Sequence, residues 1–244
     1  MRVLFLQHDH LSPAGPVAER FAHRGYEVVD RVVVAPEHFH DPNIPFDFPD
    51  PRDFDALVVM GAPWGAWDDE TIGNWLLPEM QWLRRADESD VPVLGICFGG
   101  QLLARAHGGS VARSPRPQIG WTPIWTQEPD LVGPGPWFQW HFDRWQLPPG
   151  AREIARDSLA SQAFALRRNL AVQFHPELTA AGLQGWFNNG GRSQVEADGQ
   201  DPDILYQHTL AEGEAAALRA QSLVDAFIDR IADAPGSRTL ASHS

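Results

Sequence analysis

Short apolar runs alternate with amphipathic segments in the first part of the chain. Val3 to Gln7 is mainly apolar, and Ala56 to Met60 is apolar and rich in β-branched residues. In Thr71 to Ala86, apolar residues recur at spacings of three and four. Runs of the first kind predict buried strands, and the second pattern predicts an amphipathic helix. Strands that alternate with helices imply a parallel sheet covered on both faces, so we expect an α/β fold.

The remaining pattern predicts shorter elements and a single domain. Short strands in meanders after residue 110 indicate an antiparallel extension of the sheet, and the Asn- and Gly-rich residues 188–203 indicate a mobile loop. We expect one domain over 1–233, with a core at about 1–190, a C-terminal helical part at about 201–233, and a flexible tail at 234–244. The further predicted elements are strands at 26–34, 91–96, 121–126, 137–142, 153–156, 163–166 and 171–174, and helices at 15–24, 179–187 and 210–231.

Charge and composition exclude several classes of partner. The net charge is -13, and no basic cluster occurs, so neither nucleic acid nor an anionic membrane surface is expected as a partner. No run approaches the ~20 apolar residues of a membrane-spanning helix. The single cysteine has no partner for an internal disulfide, and a free thiol fits a reducing cytosol, so we expect a cytoplasmic protein.

That cysteine, Cys97, lies where a buried strand is predicted to turn into a helix. Apolar residues lead in from Val91, and Gly95 and Gly99 flank the sulfur. Most lone cysteines are small buried hydrophobic residues. At such a corner, however, the backbone is strained, the side chain is exposed, and a helix N-terminus is aimed at it, which favours a thiolate. We therefore expect Cys97 to be a nucleophile.

A histidine and a carboxylate follow a later apolar strand. His175 comes directly after the run from Leu170 to Phe174, so it is expected at the C-terminal tip of that strand. Chemistry gathers at such tips in parallel α/β sheets. If the chain stays extended, Glu177 lies on the same side as His175. It would then orient and stabilise the imidazole, as the third member of a triad does.

The loop from Met60 to Gly65 follows a buried strand and needs a tight turn. It is either a plain connection or a source of hydrogen-bond donors for an oxyanion. In the second interpretation the backbone N–H groups of Ala62 and Phe98 form the pair of donors that acyl transfer uses.

Three motifs together resemble the class I, or triad, glutamine amidotransferase family over about residues 1–190. They are C-F-G-G-Q at 97–101, Q-F-H-P-E at 173–177 and G-A-P-W-G at 61–65. The stretches 119–121, 140–143 and 147–151 are similar to its stand-alone GMP-synthase-like subgroup. The resemblance implies a flavodoxin-like three-layer sandwich, with a mostly parallel central sheet and a small antiparallel extension. It also implies hydrolysis of the glutamine side-chain amide through a γ-glutamyl thioester, releasing glutamate and ammonia.

The resemblance also implies a role for each matching residue. Cys97 is the nucleophile, His175 the base and acid, and Glu177 its orienting partner. The oxyanion donors are Ala62 and Phe98, and the substrate contacts are Gly61, Gln101, Trp140 and His141. No phosphate-binding glycine motif occurs, and we expect neither a cofactor nor a metal.

The sequence departs from the family pattern at two positions, and the second departure leaves the substrate open. The family usually has glycine at Ala62, which would be strained if that position needed positive φ. Amidotransferases that feed a synthetase usually have serine near Trp140, so the substrate is either glutamine or another γ-glutamyl compound. Alternatives are therefore a γ-glutamyl peptide or amide hydrolase with the same triad, and a non-catalytic regulatory member. A separate acceptor or synthetase protein is a candidate partner for an ammonia-producing enzyme.

Other polar and aromatic residues give weaker signals. His8, Asp9 and His10 follow the first strand, and we expect a solvated loop there, with pocket lining or metal binding as alternatives. His141 and Asp143 contact a substrate or partner, or else they pin the loop between two strands. Trp64 and Trp67 flank the predicted oxyanion loop and are expected to reach the pocket.

Overall fold

The computed structural model describes residues 1–233, and the predicted tail at 234–244 lies outside the described residues. The strands are β1 (Arg2–Gln7), β2 (Glu27–Val32), β3 (Ala56–Val59), β4 (Val93–Ile96), β5 (Ser110–Thr122), β6 (Trp125–Thr126), β7 (Trp137–Gln146), β8 (Arg152–Arg156), β9 (Ser161–Leu166) and β10 (Asn169–Val172). The helices are α1 (Gly15–His23), α2 (Asp69–Glu88), α3 (Phe98–Ala106), α4 (Ala180–Trp186), α5 (Arg192–Ala197) and α6 (Pro202–Phe227). Within 1–233, no helix is both long and apolar enough to cross a membrane.

The central sheet has the strand order β2-β1-β3-β4-β10-β9-β8-β6. In this order, each strand from β2 to β4 is parallel to the next one. The pairs β10–β9, β9–β8 and β8–β6 are antiparallel. The parallel part has the 2-1-3-4-5 order of flavodoxin-like folds. The predicted α/β sandwich with a mostly parallel sheet and a small antiparallel extension is therefore confirmed.

Helices cover both faces of this sheet because its strands are apolar on both sides. Phe5 of β1 belongs to one buried cluster, together with α1 and α6 residues such as Phe21 and Phe227. The neighbouring Leu4 points to the other face, where α2 and α3 supply residues such as Leu76. Alternation within one strand thus feeds two cores and produces the three layers.

A two-stranded ribbon, β5 and β7, stands apart from the central sheet. We expected strands at 121–126 and 137–142 to extend the sheet, but 137–142 instead pairs with β5, which begins at Ser110. The pairing is irregular between Arg113 and Gln118, and Pro115 and Pro117 lie in that interval. Proline cannot donate a hydrogen bond to a neighbouring strand, so prolines argue against a strand when a sequence is read. This explains why the predicted strand began at residue 121 although β5 begins at Ser110.

The prediction of a mobile loop at 188–203 is wrong. A kinked turn (Phe187–Gly191), in which Asn189 and Gly190 depart from helical backbone angles, leads into α5, and α6 begins at Pro202 rather than at residue 210. The side chain of Asp201 caps α6 by accepting two backbone N–H groups. Phe187 and Val195 are buried, so apolar contacts hold this polar segment against the fold.

Candidate active site

The corner at Cys97 joins β4 directly to α3. Its backbone has φ 50° and ψ -105°, which side-chain-bearing residues rarely adopt. The corner is also crowded. A Cβ atom on Gly99 would lie 2.1 Å from the Val59 carbonyl oxygen, and one on Gly95 would lie 2.7 Å from the Gly99 backbone. Glycine is therefore required on both sides of the sulfur.

His175 and Glu177 meet in a turn beyond the end of β10. The backbone N–H of His175 donates to the carbonyl of Phe138 at 2.8 Å, and the turn is closed by Leu178 donating to His175 at 3.3 Å. Nδ1 of His175 lies 2.7 Å from Oε1 of Glu177, and both side chains are buried. The turn, rather than the extended alternation we expected, brings the two groups together.

The sulfur and the imidazole flank the backbone carbonyl of Trp140. Sγ of Cys97 lies 3.9 Å from this oxygen, and Nε2 of His175 lies 3.4 Å from it. The side-chain amide of Gln173 also donates to Sγ, at 3.7 Å. Gln173 is a site residue that our sequence reasoning missed. The only signal was a polar residue inside an otherwise apolar strand segment.

The electrostatics of this cluster favour a charged imidazole. Burial alone disfavours the charged ring of His175. Attraction to Cys97 and Glu177, with hydrogen bonds to both, outweighs burial and holds the pKa of His175 well above its ordinary value. An imidazolium beside the sulfur stabilises negative charge that develops on it during attack. Sulfur, imidazole and carboxylate therefore stand in the order that an activated thiol requires.

A cavity of about 190 Å³ opens over Cys97. Cys97 and His175 line it, whereas Glu177 is absent from the wall and contacts Nδ1 of His175. The structure brings together at this wall all the residues that we expected to bind an oxyanion or substrate, namely Gly61, Ala62, Phe98, Gln101, Trp140 and His141.

The sequence matches a model of one known protein family over most of the chain. Residues 17–188 match the family model described as glutamine amidotransferase class-I. The chain belongs to the class I glutamine amidotransferase family. The resemblance drawn from its three motifs is thereby confirmed.

Relatives of this amidotransferase chain carry different names. The GMP synthase [glutamine-hydrolyzing] of Aeropyrum pernix is 32% identical over 68% of this chain, which spans 34% of that protein. One subunit of the GMP synthase [glutamine-hydrolyzing] of Ignicoccus hospitalis is 32% identical over 53% of this chain and 70% of its own length. Gamma-glutamyl peptidase 4 of Arabidopsis thaliana is 31% identical over 54% of this chain and 58% of its own.

Solved amidotransferase structures share the fold. A glutamine amidotransferase from Thermotoga maritima superposes with a TM-score of 0.79 at 23% identity, covering 94% of this chain and 98% of that one. One from Methylobacillus flagellatus has a TM-score of 0.78 at 26% identity, with coverages of 93% and 94%.

Ala62, which stands where the family usually has glycine, does not adopt the left-handed backbone conformation that would strain an alanine. Among residues 1–233, the non-glycine positions with positive φ are Asp90, Cys97 and Arg167, so Ala62 does not need positive φ. Its neighbour Gly61 is more constrained, because a Cβ there would lie 3.2 Å from the ring of His175.

Two of the expected substrate contacts already have protein partners. The side-chain amide of Gln101 donates to Gln173 and to the Asp143 carbonyl, each at 3.3 Å. The indole N–H of Trp140 donates to Gln194, at 2.9 Å. These bonds fix both side chains in the cavity wall, and they leave the Gln101 amide N–H groups engaged within the protein.

The expectation for the two tryptophans near the oxyanion loop is half met. Trp64 lines the cavity, but Trp67 does not. Trp67 is instead 40% exposed, and the guanidinium of Arg113 lies 5.4 Å above its ring.

The segment after β1 differs from the solvated loop that we expected. His8 and Asp9 are buried, Asp9 lines the cavity, and only His10 is exposed. His8 contacts Glu79 of α2, a partner that no local sequence pattern reveals. In the part of the chain that the structure describes, no three His, Cys, Asp or Glu side chains are grouped to hold a metal ion.

His141 lies within β7 rather than in a loop between strands. Its Nδ1 donates to the backbone carbonyl of Asp143 at 2.9 Å. Burial lowers the pKa of His141 to about 4, so the ring is neutral in the folded protein near neutral pH. Burial likewise raises the pKa of Asp143. Both residues line the cavity.

We expect His141 to make the fold sensitive to mild acid. Its pKa is depressed on folding, so its contribution to the free energy of unfolding is present above the unfolded value of about 6.5 and is lost as pH falls towards about 4. When the pH falls from 7.5 to 4.5, the free energy of unfolding of the wild-type protein should decrease by about 2–3 kcal/mol more than that of His141→Asn. Urea unfolding at both pH values measures this difference, and equal losses would contradict it.

Proposed function

We propose that the protein hydrolyses the side-chain amide of glutamine through a γ-glutamyl thioester on Cys97. One observation carries this proposal. A thiol held on a strained strand-to-helix corner shares the Trp140 carbonyl with an imidazole whose other nitrogen contacts Glu177. Membership of the amidotransferase family and the name of the Aeropyrum pernix relative support the same chemistry.

The reaction follows from these groups. The proton of the Cys97 thiol passes to Nε2 of His175, and the sulfur attacks the γ-carbonyl carbon of the substrate. The N–H groups of Ala62 and Phe98 stabilise the oxyanion. His175 then protonates the departing nitrogen, which leaves as ammonia while the thioester forms. Water, deprotonated by His175, attacks the thioester and releases glutamate, so glutamine and water give glutamate and ammonia.

Glu177 has an orienting role in this scheme. Its carboxylate holds Nδ1 of His175 at 2.7 Å, which directs Nε2 towards the sulfur. It also stabilises the imidazolium that exists while the sulfur is bonded to substrate.

A second substrate class is γ-glutamyl peptides and amides. The wall residue Trp140 lies near the position where amidotransferases that feed a synthetase usually have serine, and one relative is named a γ-glutamyl peptidase. The same thioester would form from such a substrate, with an amine or amino acid leaving in place of ammonia.

A separate protein is the proposed acceptor of ammonia. The relative from Ignicoccus hospitalis is named as one subunit of a GMP synthase, and so belongs to an enzyme with more than one type of chain. In such an arrangement this chain would supply ammonia to a synthetase encoded elsewhere.

The test compares two substrates on the same purified protein. We expect glutamine to release ammonia, and we expect kcat/KM for glutamine to exceed that for a γ-glutamyl dipeptide assayed by amino acid release. A higher value for the dipeptide would move the assignment to the second class. Hydrolysis of neither, with Cys97 unlabelled by an electrophilic glutamine analogue, would instead support a regulatory role.

A further inference from the structure

We propose that the buried pair His8 and Glu79 positions the oxyanion loop of the site. In this proposal His8 holds the carbonyl of Gly61, and thereby aims the N–H of Ala62 into the cavity. The inference rests on the proposed function, because it matters only if an oxyanion forms above Cys97. Neither His8 nor Glu79 lines the cavity, so each is a positioning residue rather than a catalytic one.

Both ring nitrogens of His8 have partners, although the residue is completely buried. Nδ1 lies 3.1 Å from the carbonyl oxygen of Gly61, and Nε2 lies 3.1 and 3.2 Å from the two carboxyl oxygens of Glu79. Since a carbonyl only accepts, Nδ1 carries a hydrogen and donates it to Gly61.

One further proton lies between Nε2 and Glu79. It resides either on the ring, giving an imidazolium and a carboxylate, or on the carboxyl group, which then donates to the ring. In both cases Nδ1 keeps its hydrogen, so the bond to Gly61 does not depend on where the shared proton sits. Burial lowers the pKa of His8, but attraction and hydrogen bonding to Glu79, with the bond to Gly61, outweigh it and raise that pKa.

The bond to Gly61 sets the direction of the next N–H group. A trans peptide unit is planar, and its C=O and N–H point in opposite directions. Because the Gly61 carbonyl points at His8, the N–H of Ala62 points away from His8. Rotation of this peptide would bring its carbonyl oxygen towards the oxyanion and repel it. Holding the carbonyl therefore prevents the conformation that would block the reaction.

The same imidazole contacts the second proposed donor segment. The ring of Phe98 packs edge-on against His8 with 4.6 Å between ring centres, and Trp75 stacks on His8 at 5.4 Å. The backbone N–H of Gly99 also donates to the carbonyl of Met60 at 3.1 Å, which ties the two segments together. His8 thus touches both segments whose N–H groups would hold the oxyanion.

Stability alone is a weak reason for such a pair. Both side chains are fully buried, and replacing a buried ionic pair by apolar residues of similar volume is often neutral or stabilising. A polar pair that also forms a hydrogen bond to the loop beside the nucleophile is better explained by positioning.

The test uses two disruptive and two conservative variants. His8→Leu removes the donor, and Glu79→Met removes the partner of Nε2. His8→Asn keeps an N–H near the position of Nδ1, and Glu79→Gln keeps a donor to Nε2 while Nδ1 retains its hydrogen. Glu88→Met changes an exposed carboxylate on the same helix and is the control.

We expect His8→Leu to lower kcat about 10- to 100-fold, with KM within about twofold of wild type. The fall in kcat should be smaller for Glu79→Met than for His8→Leu, because the His8 ring remains in Glu79→Met and can still donate to Gly61. The two conservative variants should recover at least half of the loss on a logarithmic scale, and Glu88→Met should match wild type.

Alkylation of Cys97 by iodoacetamide separates positioning from general damage. The sulfur forms a bond to carbon while iodide leaves, and no oxyanion develops. The alkylation rate should therefore stay within about twofold of wild type in every variant. The inference is overturned if kcat and alkylation fall together, or if His8→Leu keeps its kcat within twofold. A wild-type protein that hydrolyses neither substrate would instead show that the proposed function itself is wrong.

Discussion

Cys97→Ala is expected to lower kcat for glutamine hydrolysis about 10⁴-fold or more, because no other group replaces the sulfur as nucleophile. Release of ammonia measures the loss. Intact mass after treatment with an electrophilic glutamine analogue should show one adduct on wild-type protein and none on the variant. Excess glutamine should slow the labelling of wild type.

The control for this variant is its stability. Alanine keeps the Cβ atom and therefore the same backbone constraint, so the melting temperature should change by only a few degrees. A folded variant that kept more than a tenth of wild-type activity would show that the reaction does not pass through Cys97.

His175→Gln is expected to lower kcat about 10³- to 10⁴-fold, because the variant loses both the base for the thiol and the acid for the leaving nitrogen. A second effect follows from the raised pKa of His175. Without an imidazolium beside it, the sulfur loses the positive charge that stabilises negative charge on it during attack, so iodoacetamide should react with Cys97 more slowly than in wild type.

His23→Gln provides the matched control for this change. His23 is an exposed histidine at the end of α1, and its replacement should alter neither kcat nor alkylation. If His175→Gln retained its alkylation rate while losing kcat, the imidazole would act only on the substrate and not on the sulfur.

The parts of the site that the sequence predicts are those written in contiguous residues. The corner at Cys97 is visible because an apolar strand, two glycines and a helix follow one another along the chain. The pairing of His175 with Glu177 is also visible, since the two lie only two residues apart. The turn that joins these two residues is harder to predict from the sequence, because a strand pattern does not show where the strand ends.

The residues that the sequence did not reveal depend on distant partners. His8 contacts Glu79, 71 positions away, and Gln173 contacts Cys97, 76 positions away. Each partner is set by how layers pack rather than by local periodicity. His8 in particular follows a strand and precedes a polar stretch, a pattern that indicates an exposed loop until α2 is placed over it.

Tertiary packing also overrides local composition in two segments of the fold. Residues 188–203 have the composition of a loop, yet Val195 is buried and the segment is largely helical. In β5, Pro115 and Pro117 interrupt the strand pattern, although both flanks pair with β7. In each case the deciding contact comes from another element, which no local window of sequence contains.

The unusual backbone at Cys97 has a consequence for the history of this fold. A side-chain-bearing residue in that conformation costs about 1–3 kcal/mol, and glycine would adopt it almost freely. A descendant that abandoned the reaction would thus gain folding free energy by replacing this cysteine with glycine, which has no Cβ atom. Loss of the nucleophile would therefore stabilise the fold at this corner, and cysteine remains there only while its reactivity is useful to the cell.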